Sequence, residues 1–254
     1  MTGERNGHLV LDGVVIDFNG FRAVDGLNLN VAKGELRCLI GPNGAGKTTA
    51  LDMICGKAKP TAGVISFEGT LLNSLEEHAI ARAGIGRKFQ VPSVFRELTV
   101  QENLDVAYSK QPGIFANLLR FGTGTDPDGL EKLAQLVGLQ DYLDTPAGYL
   151  SHGQTQWLEF ALLLAQDPEV ILMDEPTAGM TAQETKKTAD LFLRLKGRHT
   201  LIVVEHDMGF VKEIGEIISV MHQGRLLAEG TVADIEKNED VRAAYLGSGG
   251  ISGA

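Results

Sequence analysis

Residues 41–49 read GPNGAGKTT, between the apolar run LRCLI and the helix-patterned ALDMICG. The string fulfils G-x-x-x-x-G-K-[ST] between a predicted strand and a predicted helix, the context in which this pattern means a phosphate cradle. Glycines let the backbone approach phosphate oxygens closely, and successive N–H groups at a helix N-terminus supply positive potential. Gly41, Pro42, Asn43, Gly44, Ala45, Gly46, Lys47, Thr48 and Thr49 are therefore candidate nucleotide contacts. Lys47 is expected to place its charge on the β and γ phosphates, and Thr48 to put its hydroxyl on Mg²⁺. The segment VILMDEP supplies a second half, a buried strand ending in Asp174 with Glu175 immediately after it. An acidic strand end of this kind can hold Mg²⁺, and the next carboxylate is placed to polarise an attacking water.

The pattern around these two segments predicts one parallel α/β core with additions. Residues 8–33 and 60–70 alternate apolar and polar positions with Gly and Asn at turns, which predicts antiparallel strands. Residues 34–90 and 166–230 form the expected nucleotide-binding core, with VILMD and TLIVVEHD as buried parallel strands. Between them residues 91–165 switch to helical spacing, as in LEKLAQLVGL, with a loop over FGTGTDPDG, and read as a helical insert. Residues 231–254 are a C-terminal extension ending in the flexible-looking GSGGISGA.

Composition narrows the classes. The net charge of −10 argues against an extended nucleic-acid footprint, because such binding rests on neutralising phosphates with Lys and Arg. Two cysteines, Cys38 and Cys55, give neither a disulfide framework nor a metal-ligand spacing, which favours a reducing compartment. The start of the chain lacks a signal-peptide pattern, and no run approaches the roughly 18 apolar residues of a membrane span. A membrane would have to be reached through a partner.

A cradle and an acidic strand end are shared by many NTPases; the remaining motifs are more specific. GRKFQ ends at Gln90, LSHGQ spans Leu150–Gln154, EPTAGMT follows Asp174, and VVEHD carries His206. In this order the set resembles the nucleotide-binding subunit of ABC transporters, over nearly the whole chain. The resemblance implies a P-loop NTPase of the ABC ATPase type: a RecA-like parallel core, an N-terminal antiparallel β subdomain and an inserted α-helical subdomain, all in one nucleotide-binding domain. It implies that ATP with Mg²⁺ is bound and hydrolysed, with Glu175, His206, Lys47 and Gln90 as the catalytic set and Thr48, Gln90 and Asp174 as the metal set. Phe18 matches the aromatic that stacks on adenine, and Val24 is expected beside the ribose. Ser151, His152, Gly153 and Gln154 match the signature peptide, a helix N-terminus that grips the γ phosphate held by an opposite subunit.

The implied partners are a second ATP-binding subunit, a different chain in a head-to-tail dimer, two membrane permease subunits, and indirectly an extracytoplasmic binding protein. The expected place is the cytoplasmic face of the membrane, peripheral through the permeases. These would dock near Gln90–Glu102, where Phe89, Phe95 and Leu98 stand with Arg87, Lys88 and Arg96. Two positions depart from the family pattern: His152 stands where Gly is usual, and Thr181 where the following loop usually has Asp. His152 is accordingly expected to contact nucleotide across the dimer and to make closure pH-sensitive. LSHGQ with QWLE and GIGRKFQVPSVF resemble most the urea-type branch of the branched-chain amino-acid and amide importers, with the amino-acid importers as the alternative. A soluble ABC ATPase of DNA repair or translation, and a regulator without turnover, are the competing classes.

Overall fold

The computed structural model describes residues 7–88, 94–108 and 127–246. Strands β1 (Leu9–Phe18) and β2 (Phe21–Val31) form an antiparallel hairpin whose turn residues Asn19 and Gly20 both have positive φ, 54° and 95°. A two-residue type I′ turn needs this pair of backbone conformations, and Asn-Gly adopts them cheaply. β4 (Ala62–Phe67) pairs with β1, and the short β5 (Thr70–Leu71) completes a four-stranded sheet in the order β2-β1-β4-β5.

The second sheet has six strands: β3 (Leu36–Ile40), β6 (Ile85–Lys88), β7 (Val170–Asp174), β8 (Thr200–Val204), β9 (Ile217–His222) and β10 (Arg225–Gly230). Their order is β10-β9-β3-β8-β7-β6, parallel throughout except for the antiparallel edge strand β10. Every residue of β3, β7 and β8 is buried. Their apolar side chains divide by period two. Leu36, Cys38, Ile171, Met173, Leu201 and Val203 face one core, whereas Leu39, Val170, Leu172, Ile202 and Val204 face the other. Burial on both faces explains why these strands read as unbroken apolar runs.

The helices are α1 (Lys47–Ile54), α2 (Glu77–Arg82), α3 (Val100–Tyr108), α4 (Pro127–Val137), α5 (His152–Leu164), α6 (Ala182–Leu195), α7 (Met208–Ile214), α8 (Val232–Lys237) and α9 (Glu239–Leu246). One core joins β1, β2 and α1 to one face of the parallel sheet. The other joins α3, α4, α5, α6 and α7 to the opposite face, with Val100, Leu104, Leu130 and Ala134 packed in the same cluster as Trp157 and Leu158. The mixed α/β architecture expected from the sequence is present. One detail differs from expectation. Residues 127–129, expected in a loop, open α4, because Pro is tolerated at a first helical position where its missing N–H has no partner anyway. The extension after residue 230 is helical through Leu246, and GSGGISGA lies outside the described residues.

Candidate nucleotide site

The carboxyl ends of the parallel strands carry the candidate residues. β3 ends at Ile40 and the loop 41–46 leads directly into α1. Only glycine fits at its two ends: a Cβ at Gly41 would lie 2.1 Å from the Met221 carbonyl oxygen, and one at Gly46 2.4 Å from that of Ala23. Lys47 is buried, and its Nζ donates to the carbonyls of Gly41 (2.7 Å) and Pro42 (3.1 Å). Burial lowers the pKa of this ammonium, and the Glu175 and Asp174 carboxylates oppose that shift. The outer loop residues Asn43 and Gly44 are exposed and border a recess of about 430 Å³, closed on its other sides by His222, Gln223, Ala243 and Ala244.

Asp174, the last residue of β7, is 7% exposed and lies beside the Thr48 hydroxyl. Burial raises its pKa above the ordinary carboxylate range, with the Thr48 hydroxyl and the Arg87 charge acting the other way. Its Oδ2 is buried without a hydrogen-bond partner, since Arg87 Nη2 comes no closer than an ion-pair distance of 3.7 Å. A buried carboxylate oxygen with spare lone pairs, beside a hydroxyl, fits a hard cation that takes oxygen ligands. Thr48 and Asp174 are thus the described residues that could hold Mg²⁺; Gln90, also expected there, lies outside the described residues. A separate group, His8, Glu68 and Glu169, converges elsewhere, but Lys33 Nζ already supplies its cation, 3.6 Å from Glu68 and 2.8 Å from Glu169.

Glu175 breaks the strand with a left-handed backbone (φ 48°) and keeps its N–H on the Val204 carbonyl at 2.9 Å. This turn carries its half-exposed carboxylate to within 3.6 Å of His206 Nδ1, just beyond the end of β8. Glu205 fixes both neighbours. It is 1% exposed and accepts from the Thr177 hydroxyl (2.6 Å), the Thr177 N–H (3.2 Å) and the His206 N–H (3.1 Å). Sequence reasoning gave Glu205 no role; a carboxylate directly after four buried apolar residues was the available signal. Tyr245 on α9 was likewise not singled out. Its hydroxyl takes a hydrogen bond from the Gly41 backbone, while burial pushes its pKa up to about 12. No local pattern signals that contact.

At the β1–β2 turn Phe18 and its cross-strand partner Phe21 are 52% and 67% exposed, so two rings, not one, are free to meet a planar ligand. Val24, expected beside the ribose, is fully buried. Its Cγ2 would lie 3.2 Å from a Cβ at Gly46, so it supports the back of the phosphate loop instead of facing a ligand. Arg87 and Lys88, expected on a docking surface, also turn inward. Arg87 pairs with Asp52, and Lys88 with Gln156 and, at 3.2 Å, the buried Glu159. Phe95 is exposed and Leu98 half-buried, while Phe89 lies outside the described residues.

The signature peptide forms the start of α5. Ser151 is its N-cap: the hydroxyl accepts from Gln154 N–H at 3.2 Å, and the Gln154 side chain accepts from Ser151 N–H at 2.8 Å. This capping box engages the Gln154 N–H and leaves Ser151 exposed, with the N–H groups of His152 and Gly153 outside the cap. Among the described residues no hydrogen bond or ion pair joins residues 151–154 to the phosphate loop. The His152 imidazole is directed elsewhere, donating from Nε2 to the Ala178 carbonyl at 3.1 Å.

Comparison with known proteins agrees with this geometry. Residues 24–178 match a family model described as ABC transporter, and residues 225–251 match one described as branched-chain amino acid ATP-binding cassette transporter. The chain is 38% identical over 248 residues to the high-affinity branched-chain amino acid transport ATP-binding protein LivG of Salmonella typhimurium, covering 94% of this chain and 97% of that one. It is 37% identical to BraF of Pseudomonas aeruginosa, a protein of the same description, with the same coverage. Among solved structures, the ADP conformation of MJ1267, an ATP-binding cassette of an ABC transporter, superimposes with a TM-score of 0.81 at 29% identity, covering 94% of this chain and 98% of that one. A dimeric post-hydrolysis state of the cassette MJ0796 bound to ADP and Pi does so with a TM-score of 0.71 at 25% identity, covering 88% and 98%.

Proposed function

Because the chain belongs to the ABC transporter ATP-binding family, we propose that it is the Mg²⁺-dependent, ATP-hydrolysing motor subunit of an importer for branched-chain amino acids. The observation that carries the reading is the convergence of Lys47, Thr48, Asp174, Glu175 and His206 at the carboxyl ends of adjacent parallel strands. The loop N–H groups wrap the phosphates, and Lys47 exchanges its own carbonyl acceptors for β and γ oxygens. Thr48 and Asp174 hold Mg²⁺, which when bound neutralises charge on those oxygens. Glu175 accepts a proton from the attacking water, and His206 contacts the γ phosphate. Phe18 stacks on adenine, with Phe21 beside it. Ser151 and the N–H groups of the first turn of α5 grip the γ phosphate of a second ATP-binding subunit, so each site is completed across a head-to-tail dimer. The dimeric cassette bound to ADP and Pi supports that arrangement.

ATP that binds the closed dimer better than the open one drives closure, and hydrolysis releases it. Two permease chains receive the movement through the helical insert, and an extracytoplasmic binding protein delivers the solute to them. Among the described residues no helix is long and apolar enough to cross a membrane. Attachment through the permeases at the cytoplasmic face follows from this reading. The cargo reading moves from urea to the runner-up because the amino-acid transport relatives match over nearly their whole length. The test is uptake of labelled leucine and labelled urea in cells lacking this chain, with identification of the membrane proteins that copurify with it. Loss of leucine uptake with urea uptake intact is expected; loss confined to urea would reinstate the urea reading, and no loss of either would refute the importer.

A further inference from the structure

The two departures from the family pattern, His152 and Thr181, meet in one interlocked surface. The loop after β7 runs from Glu175 to Thr181, the N-cap of α6, and lies against the first turn of α5. His152 Nε2 donates to Ala178 at 3.1 Å, and a Cβ on Gly179 (φ 76°) would come within 3.2 Å of the same nitrogen. In the other direction the Glu184 carboxylate occupies the space over Gly153, where a Cβ would lie 2.1 Å away. Thr181 and Glu184 hold each other in a capping box, which fixes that carboxylate in place. Behind this contact Trp157 Nε1 donates to Thr188 at 3.2 Å, so α5 and α6 are joined one turn further on as well.

From this geometry we propose that His152 is a positioning residue that ties the signature turn to the loop carrying Glu175, and so links the half-site a subunit lends to its partner with the catalytic base of its own site. The proposal rests on the reading above, in which Ser151 meets the partner's γ phosphate. The loop has two anchors. Thr177 is held by Glu205 next to His206, and Ala178 is held by His152. A shift of the signature turn on meeting a phosphate therefore pulls on a carbonyl three residues from Glu175. Glycine, usual at position 152 in this family, has no side chain with which to make this bond.

The same bond selects the ring nitrogen that carries hydrogen. A carbonyl only accepts, so Nε2 must donate, and it carries a proton in the imidazolium as well as in one neutral tautomer. Glu184, with Lys187 beyond it on α6, is the charged group facing the ring; the loop residues 176–180 carry none.

The test uses the full-length chain with His152→Gly and His152→Gln, because Gln keeps an N–H donor at similar reach. Hydrogen exchange of the 177–180 amides should quicken about 3- to 10-fold in His152→Gly and return toward wild type in His152→Gln, as expected for one neutral hydrogen bond. In steady-state ATP hydrolysis the Gly variant should lose kcat by a similar factor with KM unchanged, and the Gln variant should recover it. The pH profiles of wild type and His152→Gln should be parallel. Unchanged exchange in His152→Gly would overturn the tether, and altered exchange with unchanged kcat would overturn the link to catalysis. Full hydrolysis by Glu175→Gln would instead refute the assignment of the base, leaving the exchange result to judge the tether.

Discussion

The phosphate loop and the signature turn are both helix N-termini built to hold an anion, yet they are constructed in opposite ways. The loop is formed by backbone wedged between other backbone, with Lys47 buried and bonded to its own carbonyls. The signature turn is formed by side chains capping one another at the surface, with Ser151 and His152 exposed. A cradle that encloses its ligand needs every contact within one chain. In the proposed dimer a turn presented outward needs only a stable shape, because the rest of its ligand's environment would come with another subunit.

Experiments can break this contrast, beginning with the largest effect. Glu175→Gln removes the proton acceptor and should cut ATP turnover about 10²- to 10⁴-fold while leaving ATP affinity intact, measured as phosphate release beside nucleotide titration. Residual turnover near wild type would mean that another group serves as base. Next is the anchor of the signature helix on the parallel sheet. Lys88, at the end of β6, and Glu159, on the signature helix α5, form a buried pair, and burial lowers the Lys88 pKa against the opposing Glu159 charge. Glu159→Gln strands that charge and should cost about 3–5 kcal/mol in urea unfolding, whereas replacing both by Met should recover most of it.

A smaller loss separates the two anion sites directly. Ser151→Ala deletes a cap and should lower stability by about 1 kcal/mol with no change in ATP affinity of the isolated chain. A weakened affinity would show that one chain's signature turn already serves its own phosphate loop. The smallest effect is in acid. Thr181's N–H and hydroxyl hold the Glu184 carboxyl below its ordinary 4.5. A depressed pKa contributes stability above the unfolded value and loses it as pH falls through the folded one. Amides in the first turn of α6 should therefore lose protection only below about pH 4.5, with none lost between pH 6 and 8.

Much of this was legible in the chain. GPNGAGKTT between a strand and a helix, and an acidic end on VILMD, are local patterns, and buried parallel strands announce themselves as apolar runs. What was not legible depended on residues far apart in sequence. The charges of Arg87 and Lys88 read as surface because their partners, Asp52 and Glu159, come from other elements. Val24 was expected beside the ribose from the family resemblance alone, which does not show what covers a strand residue. His152 read as reaching toward a nucleotide because Ala178, 26 residues later, gives no sign of accepting a bond.

Glu175 sits in a backbone conformation that residues other than Gly, Asn and Asp occupy at roughly 1–2 kcal/mol of cost. Thermal robustness and turnover therefore pull this one position in opposite directions. With Glu175 as the proposed base, a laboratory lineage selected only for heat resistance would drift there toward Gly or Asn and become a sturdier protein with its ATP hydrolysis lost. Persistence of a glutamate at position 175 under such selection would mark a lineage still doing work.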